Sequence, residues 1–144
     1  MARPDTNTGD LFAYPQPAAA LPGSMDYRAT LSHLLAETLR KSGKDRHDIA
    51  HIASKLTGHN VSKHMLDGYT AESREEFNLP FWVVPAIENA CGSFELTNWL
   101  VAVRGGRLLI GRDALEADLG RITRQREQLV EQERALRALM RGSR

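Results

Sequence analysis

The stretch "IAHIASKLTGHNVSKHML", Ile49 to Leu66, contains the pattern that decides the fold. Its first half carries small and apolar residues at helical spacing and ends at Gly58, a typical residue just past a helix C-terminus. Only a tight turn fits between Gly58 and Val61, where a β-branched residue and then a polar one open the next segment. Two short helices joined in this way predict a helix-turn-helix unit.

The flanking segments also favour helices. Apolar residues follow helical spacing from Asp26 until Gly43 ends the pattern, and Asp45 is a suitable N-cap for the helix that contains Ile49. The helix after the turn is expected from about Val61 to Tyr69. Together the three helices form a three-helix unit.

A second helical pair is expected farther along the chain. Pro85 can occupy the first turn of a helix that Gly92 closes, and Ser93 then caps the next one. The apolar side of that second helix is expected to comprise Phe94, Trp99, Leu100 and Val103.

The run "GGRLLIG", Gly105 to Gly111, predicts a lone short strand, which needs a partner for its backbone groups. Two partners remain open. One is the arm segment Leu11 to Tyr14, and the other is the same strand of a second subunit, which we favour slightly.

A heptad pattern occupies the C-terminal segment, after a D-x-x-E capping pattern at Asp113 and Glu116. An antiparallel dimer would bring the two charged core residues, Arg126 and Glu133, near each other. The alternative is a terminal helix folded back on its own body. The expected dimerisation residues are Leu115, Leu119, Ile122, Arg126, Leu129, Glu133, Leu136 and Met140.

These patterns predict an all-α protein with one short strand. Residues 1–24 hold four of the six prolines and form an extended or disordered arm. Residues 25–111 form a helical body with the helix-turn-helix at about 45–70, and residues 112–144 form the dimerisation helix. The net charge of +1 is no polyelectrolyte signal, so a DNA-binding surface must be local.

The candidate DNA contacts lie around the turn. A helical projection places Lys63, His64 and Asp67 on the outward face of the third helix, where they can meet phosphates or base edges. The alternative is a plain helical hairpin with a solvated face, and the acidic Glu72 to Glu76 need not face phosphate. The full expected set is Arg46, Lys55, His59, Asn60, Ser62, Lys63, His64 and Asp67.

Other site types have little support in the sequence. His47 and His51 are one helical turn apart, but no Cys, Asp or Glu completes a familiar metal-ligand spacing. Phosphate-binding loops, nucleophile elbows and dinucleotide turns do not occur, so we expect no enzyme, no cofactor and no metal. A single cysteine and the lack of a long apolar run favour a cytoplasmic protein without a membrane span.

The chain resembles a group of small regulatory proteins encoded near the transposase by Mu-like transposable phages and prophages. The resemblance rests on "GDLF", on "DRHDIAHIASKLTGHNVSKHMLDGYTAESREE", on "PFWVVPAIENACGS" and on "GGRLLIGRDALEADLGRI", and it covers most of the chain. It implies a DNA-binding regulator in the bacterial cytoplasm, without identifying an operator.

Two functions therefore stand as hypotheses. The first is a dimeric regulator that binds double-stranded DNA and controls phage or prophage transcription or transposition. The second is a non-enzymatic helical adaptor that binds the transposase, the polymerase or a host protein, with "TAESREE" in its contact surface.

Overall fold

The computed structural model describes residues 15 to 142, and this part of the chain is all-α, as predicted. Six α-helices occur there, with a short 3₁₀ turn, Phe81–Val83, directly before the fourth. They are α1 Arg28–Lys41, α2 Arg46–Thr57, α3 Lys63–Tyr69, α4 Val84–Cys91, α5 Glu95–Val103 and α6 Arg112–Gly142.

The chain divides into two units, Met1–Leu108 and Leu109–Arg144. In the first unit, α2 packs against α3 and α4, and α1 packs against α4 and α5. One apolar core joins all five helices of this unit. Its buried members are Leu35, Leu39, Ile49, Ala50, Ala53, Val61, Leu66, Tyr69, Val83, Ala86, Ile87, Ala90 and Leu96.

Hydrogen bonds at both ends fix the connection between α2 and α3. Gly58 takes the left-handed conformation (φ +70°) that ends α2. The hydroxyl of Ser54 accepts from the N–H of Val61 at 2.8 Å and donates to its carbonyl at 2.9 Å. Ser62 then caps α3 by accepting from the N–H of Met65, so α3 begins at Lys63 rather than at Val61 as expected.

The predicted strand at Gly105 to Gly111 is wrong: the described residues form no strand there. The N–H of Gly105 donates to Ala102 and that of Gly106 to Val101, which is the Schellman closure of α5. These backbone groups therefore end a helix and do not form a ladder. The predicted partner segment, Leu11 to Tyr14, lies outside the described residues.

The described end of the N-terminal arm instead contacts the end of α5. Pro17 forms an isolated antiparallel bridge with Arg104, and Ala18 donates its N–H to the carbonyl of Val103 over 2.9 Å. Gly105, at φ +78°, turns the chain directly after this bridge. A single bridge is therefore all that forms between the two segments in the described part of the chain.

A buried carboxylate joins α4 to α5. Glu88 accepts from the backbone N–H of Thr97 at 2.9 Å and from its hydroxyl at 2.5 Å, so it supplies an acceptor for the open N-terminus of α5. Ser93 was expected to cap α5, but the residue before the helix is Phe94, and Ser93 accepts only from the N–H of Glu95.

The expected apolar side of α5 is only partly correct. Leu96 is its one fully buried residue, and Trp99 and Val103 are half-buried. Phe94 and Leu100 were expected inside, yet they are 55% and 38% exposed. The inward face of α5 is therefore formed by Leu96, Trp99 and Val103.

We expect Glu88→Ala to lower the free energy of unfolding by about 1–3 kcal/mol, because Thr97 would lose the acceptor for two donors in a part-buried site. Thermal or urea unfolding measures this loss. Glu37→Ala is the matched control, since Glu37 is exposed and its one ion pair within residues 15–142 is with Arg40 on the same helix. Equal stability of the two variants would contradict the role given to Glu88.

The second unit contains α6, which is 31 residues long and has no buried residue. Its heptad leucines and Ile122 are all more than half exposed. Asp113 was expected to precede the helix as a cap, but it lies inside the first turn. Pairs at i,i+3 and i,i+4, such as Arg112 with Glu116, support the polar surface of the helix.

A membrane-spanning helix must be both long and apolar. Within residues 15–142, no helix meets both conditions.

Candidate nucleic-acid interface

The candidate interface consists of the outward surfaces of α2, α3 and the turn between them. In α3, Leu66 and Tyr69 are buried in the core, and His64 lies on the exposed side. Lys63 and Asp67 are partly exposed. The structure thus divides α3 into the inward and outward sides that the helical projection predicted.

Three of the expected DNA-contact residues form one ionic cluster, which we call the Asp67 cluster: Arg46, Lys63 and Asp67. One carboxylate oxygen of Asp67 lies 2.6 Å from the Arg46 guanidinium, and the other lies 2.7 Å from the Lys63 ammonium. The Arg46 guanidinium also donates to the hydroxyl of Thr70 at 3.0 Å. Two cations and one anion leave the cluster with one net positive charge.

The Asp67 carboxylate remains ionised at neutral pH. The hydrogen bond from Lys63 is the largest influence and lowers its pKa; burial opposes this effect, and Arg46 adds to it. A carboxyl group with a lowered pKa contributes stability above its unfolded-state pKa, and this contribution disappears as acid protonates it. The link between α2 and α3 should therefore persist at neutral pH and weaken only in acid.

The expected contact of Asp67 with a base edge needs revision on these distances. Both of its oxygens already have a cationic partner, so a base amino group would have to displace one of them. Asp67 instead orients two cations, Lys63 at the start of α3 and Arg46 at the start of α2. The sequence could not indicate this, because Arg46 and Asp67 are 21 residues apart.

The other expected contact residues differ in whether their side chains already have partners within the fold. Lys55 and Asn60 are exposed, and Lys55 makes no ion pair or side-chain hydrogen bond with the described residues. Ser62 is occupied as the N-cap of α3. His59 and His64 are exposed, but each ring lies edge-on to an aromatic neighbour, Trp82 at 5.4 Å and Phe77 at 6.2 Å.

Two further histidines extend the polar surface along α2. His47 and His51 are exposed and stand at four-residue spacing with Lys55, so they share one side of the helix. Lys44, just before α2, is used internally, since its ammonium donates to the carbonyl of Ala90 at 2.6 Å. The available cation on α2 is therefore Lys55, which shares this side of the helix with two imidazole side chains.

The acidic segment after α3 contacts α1. Glu72 lies 3.0 Å from the ring nitrogen of His33, and Glu75 lies 3.7 Å from the guanidinium of Arg28. These pairs are exposed and contribute little to stability. They do place an imidazole and a guanidinium of α1 beside the acidic side chains, which the sequence pattern did not indicate.

The histidines and carboxylates do not converge as metal ligands. Between residues 15 and 142, no group of three His, Cys, Asp or Glu side chains comes close enough together to hold a metal ion. Cys91 is half-buried, and burial raises the pKa of its thiol.

Comparison of the chain with protein-family models, with curated proteins and with solved structures finds no match.

Proposed function

We propose that the chain is a helix-turn-helix protein that binds double-stranded DNA with sequence specificity. The observation that carries the proposal is the arrangement of α3. This helix is capped by Ser62, anchored through Leu66 and Tyr69, and presents Lys63 and His64 outward beside the turn. Residues at the start of a recognition helix are the ones that reach base edges in known complexes of this kind.

The dimensions of α3 suit a major groove. An α-helix with its side chains is about 10–12 Å across and the groove is about 12 Å wide, so the seven-residue α3 can lie within it. In this proposal Lys63 meets a guanine or a phosphate, and His64 meets a base or a phosphate. Arg46 and Lys55 contact phosphates on either side, and Asp67 holds Arg46 and Lys63 in position.

Dimerisation is part of the proposal, because one short helix offers few base contacts. The stripe of apolar side chains on α6, from Leu115 to Met140, is more than half exposed at each apolar core position of the heptad. Such a stripe is typical of a helix that pairs with another helix. In an antiparallel pair, Arg126 would approach Glu133 of the second copy, and Glu133 would share its carboxylate with Arg137.

The biological setting follows from the resemblance alone. We infer a regulator of phage or prophage transcription or transposition, acting in the cytoplasm of a bacterial host.

A second candidate is a helical adaptor that binds the transposase, the polymerase or a host protein. The observation that favours it is a pair of large apolar side chains near the turn, Leu56 and Trp82, which are each more than half exposed and line one surface depression together with His59. Exposed apolar patches often mark protein-binding surfaces. This candidate and DNA binding differ in their dependence on salt.

The proposal is tested by selecting bound fragments from random DNA and from phage DNA with the purified full-length chain. DNA binding predicts repeated enrichment of related fragments. Affinity for an enriched fragment should fall steeply with salt, whereas an apolar protein interface should respond weakly.

A further inference from the structure

Phe77 follows α3 in the sequence, yet its ring packs back onto that helix. A Cβ atom on Gly68 would lie 2.5 Å from Cδ1 of Phe77 and 3.0 Å from its Cγ, so the ring rests directly on the helix backbone. The centre of the ring is 6.2 Å from that of His64 and 6.4 Å from that of Tyr69. Phe77 therefore contacts both the outward His64 and the anchored Tyr69.

Backbone hydrogen bonds in the segment after α3 bring Phe77 to this position. The N–H of Ala71 donates to the carbonyl of Gly68 at 3.2 Å. The N–H of Arg74 then donates to Ala71, and that of Phe77 donates to Arg74, each at 3.0 Å. Bonds between residues i and i+3 close successive turns. The acidic part of the chain thus forms a series of turns whose last residue returns to α3.

Side chains add to the contacts that hold this segment. The guanidinium of Arg74 lies 6.0 Å from the centre of the Phe77 ring, within the range of a cation–π contact. The side-chain amide of Asn78 donates to the carbonyl of Glu75 at 3.1 Å. The position of Phe77 therefore depends on the whole segment and not on its ring alone.

Gly68 makes the close approach of the ring possible. Glycine is less favourable than alanine inside a helix, so a glycine within α3 needs another reason. Any larger residue at this position would meet the Phe77 ring near its point of attachment and would have to displace it. The fit between Gly68 and Phe77 supplies that reason.

The contact with His64 concerns the orientation of an exposed side chain. The two ring planes are inclined at 79°, which is the edge-to-face arrangement that aromatic pairs favour. A free side chain samples several rotamers, and fixing one of them on binding costs free energy. A ring that is already held in one orientation avoids part of this cost.

We propose that Phe77 positions the His64 ring for contact with DNA. The acidic segment then supports the recognition helix, and Phe77 acts through His64 without touching DNA itself. This inference rests on the proposed function and adds to it a residue that no charge pattern indicates.

A double-mutant cycle in the full-length chain tests the inference. Phe77→Ala is expected to weaken binding to a selected double-stranded fragment by about 2- to 12-fold, which corresponds to fixing one side chain on binding. In a His64→Ala background the same substitution should have almost no further effect, because the side chain on which Phe77 acts is absent. Phe94→Ala is the matched control, since it removes an exposed phenyl ring outside α3 and should leave the affinity unchanged.

A second variant displaces the ring without removing it. Gly68→Ala favours the helix, yet its Cβ atom takes the space that the Phe77 ring occupies. We expect a loss of affinity similar to that of Phe77→Ala, and this loss should also disappear in the His64→Ala background. Circular dichroism checks that each variant keeps its helices.

The outcomes separate this inference from the proposed function. An equal loss from Phe77→Ala with and without His64 would overturn the inference, because the ring would then support α3 in general. Unchanged affinity of Phe77→Ala would overturn it as well. Selective DNA binding remains in both cases, so the proposed function stands. A chain that selects no DNA fragment overturns the proposed function and the inference together.

Discussion

Removing the residues after Gly111 is expected to convert a dimer into a monomer and to weaken DNA binding by about 100- to 10,000-fold. The reason is the uncovered apolar stripe of α6, where no residue is buried within one chain. Two linked reading helices bind two half-sites, and the second contact forms at a high effective concentration. Sedimentation equilibrium and binding to a selected fragment measure the two effects.

Point substitutions test the same prediction while the helix is kept. Ile122→Asp places a charge in the apolar stripe and should dissociate the dimer. Arg124→Asp introduces the same residue at a position facing away from the heptad core and should leave the dimer intact. If the truncated chain remains dimeric, the dimer interface lies in the first unit and not on α6.

The combined substitution of Lys63 and His64 by Ala is expected to weaken binding to a selected DNA fragment by about 1–3 kcal/mol for each base that the protein no longer reads. These two residues hold the outward positions at the start of α3. Removal of the Lys63 ammonium leaves Asp67 paired with Arg46, so the link between α2 and α3 is retained. Fluorescence anisotropy with a labelled fragment measures the change.

The matched control for this pair is Arg40→Ala with His33→Ala on α1. It removes one cation and one histidine from exposed positions outside the proposed interface. The control should retain nearly all of the specific affinity. If the Lys63 and His64 variant keeps its fold and its affinity is unchanged, α3 is not the recognition helix.

The sequence predicted the helices well where local signals define both ends. Asp45 accepts from the N–H of His47 at the start of α2, and Gly58 and Gly92 take the left-handed conformation that ends α2 and α4. Pro85 stands in the first turn of α4, where its missing N–H costs little. These signals act over a few residues, so a single sequence contains them in full.

The errors and omissions have two causes: a local helix closure that the apolar composition does not reveal, and contacts between residues far apart in the sequence. The apolar run Leu108 to Ile110 fits a strand by composition, but the Schellman closure of α5 uses the preceding backbone groups. The Asp67 cluster and the Glu88 contacts with Thr97 depend instead on how helices pack. Residue spacing within one helix cannot reveal which partner a charged side chain will meet.

The salt dependence of DNA binding tests the central claim most directly. The full-length chain is titrated onto a selected fragment and onto a scrambled fragment of equal length at several salt concentrations. We expect tighter binding to the selected fragment and a linear fall of log K with log salt, with a slope of about −0.9 for each phosphate contacted. Equal affinity for both fragments, or an affinity that does not change with salt, would contradict it.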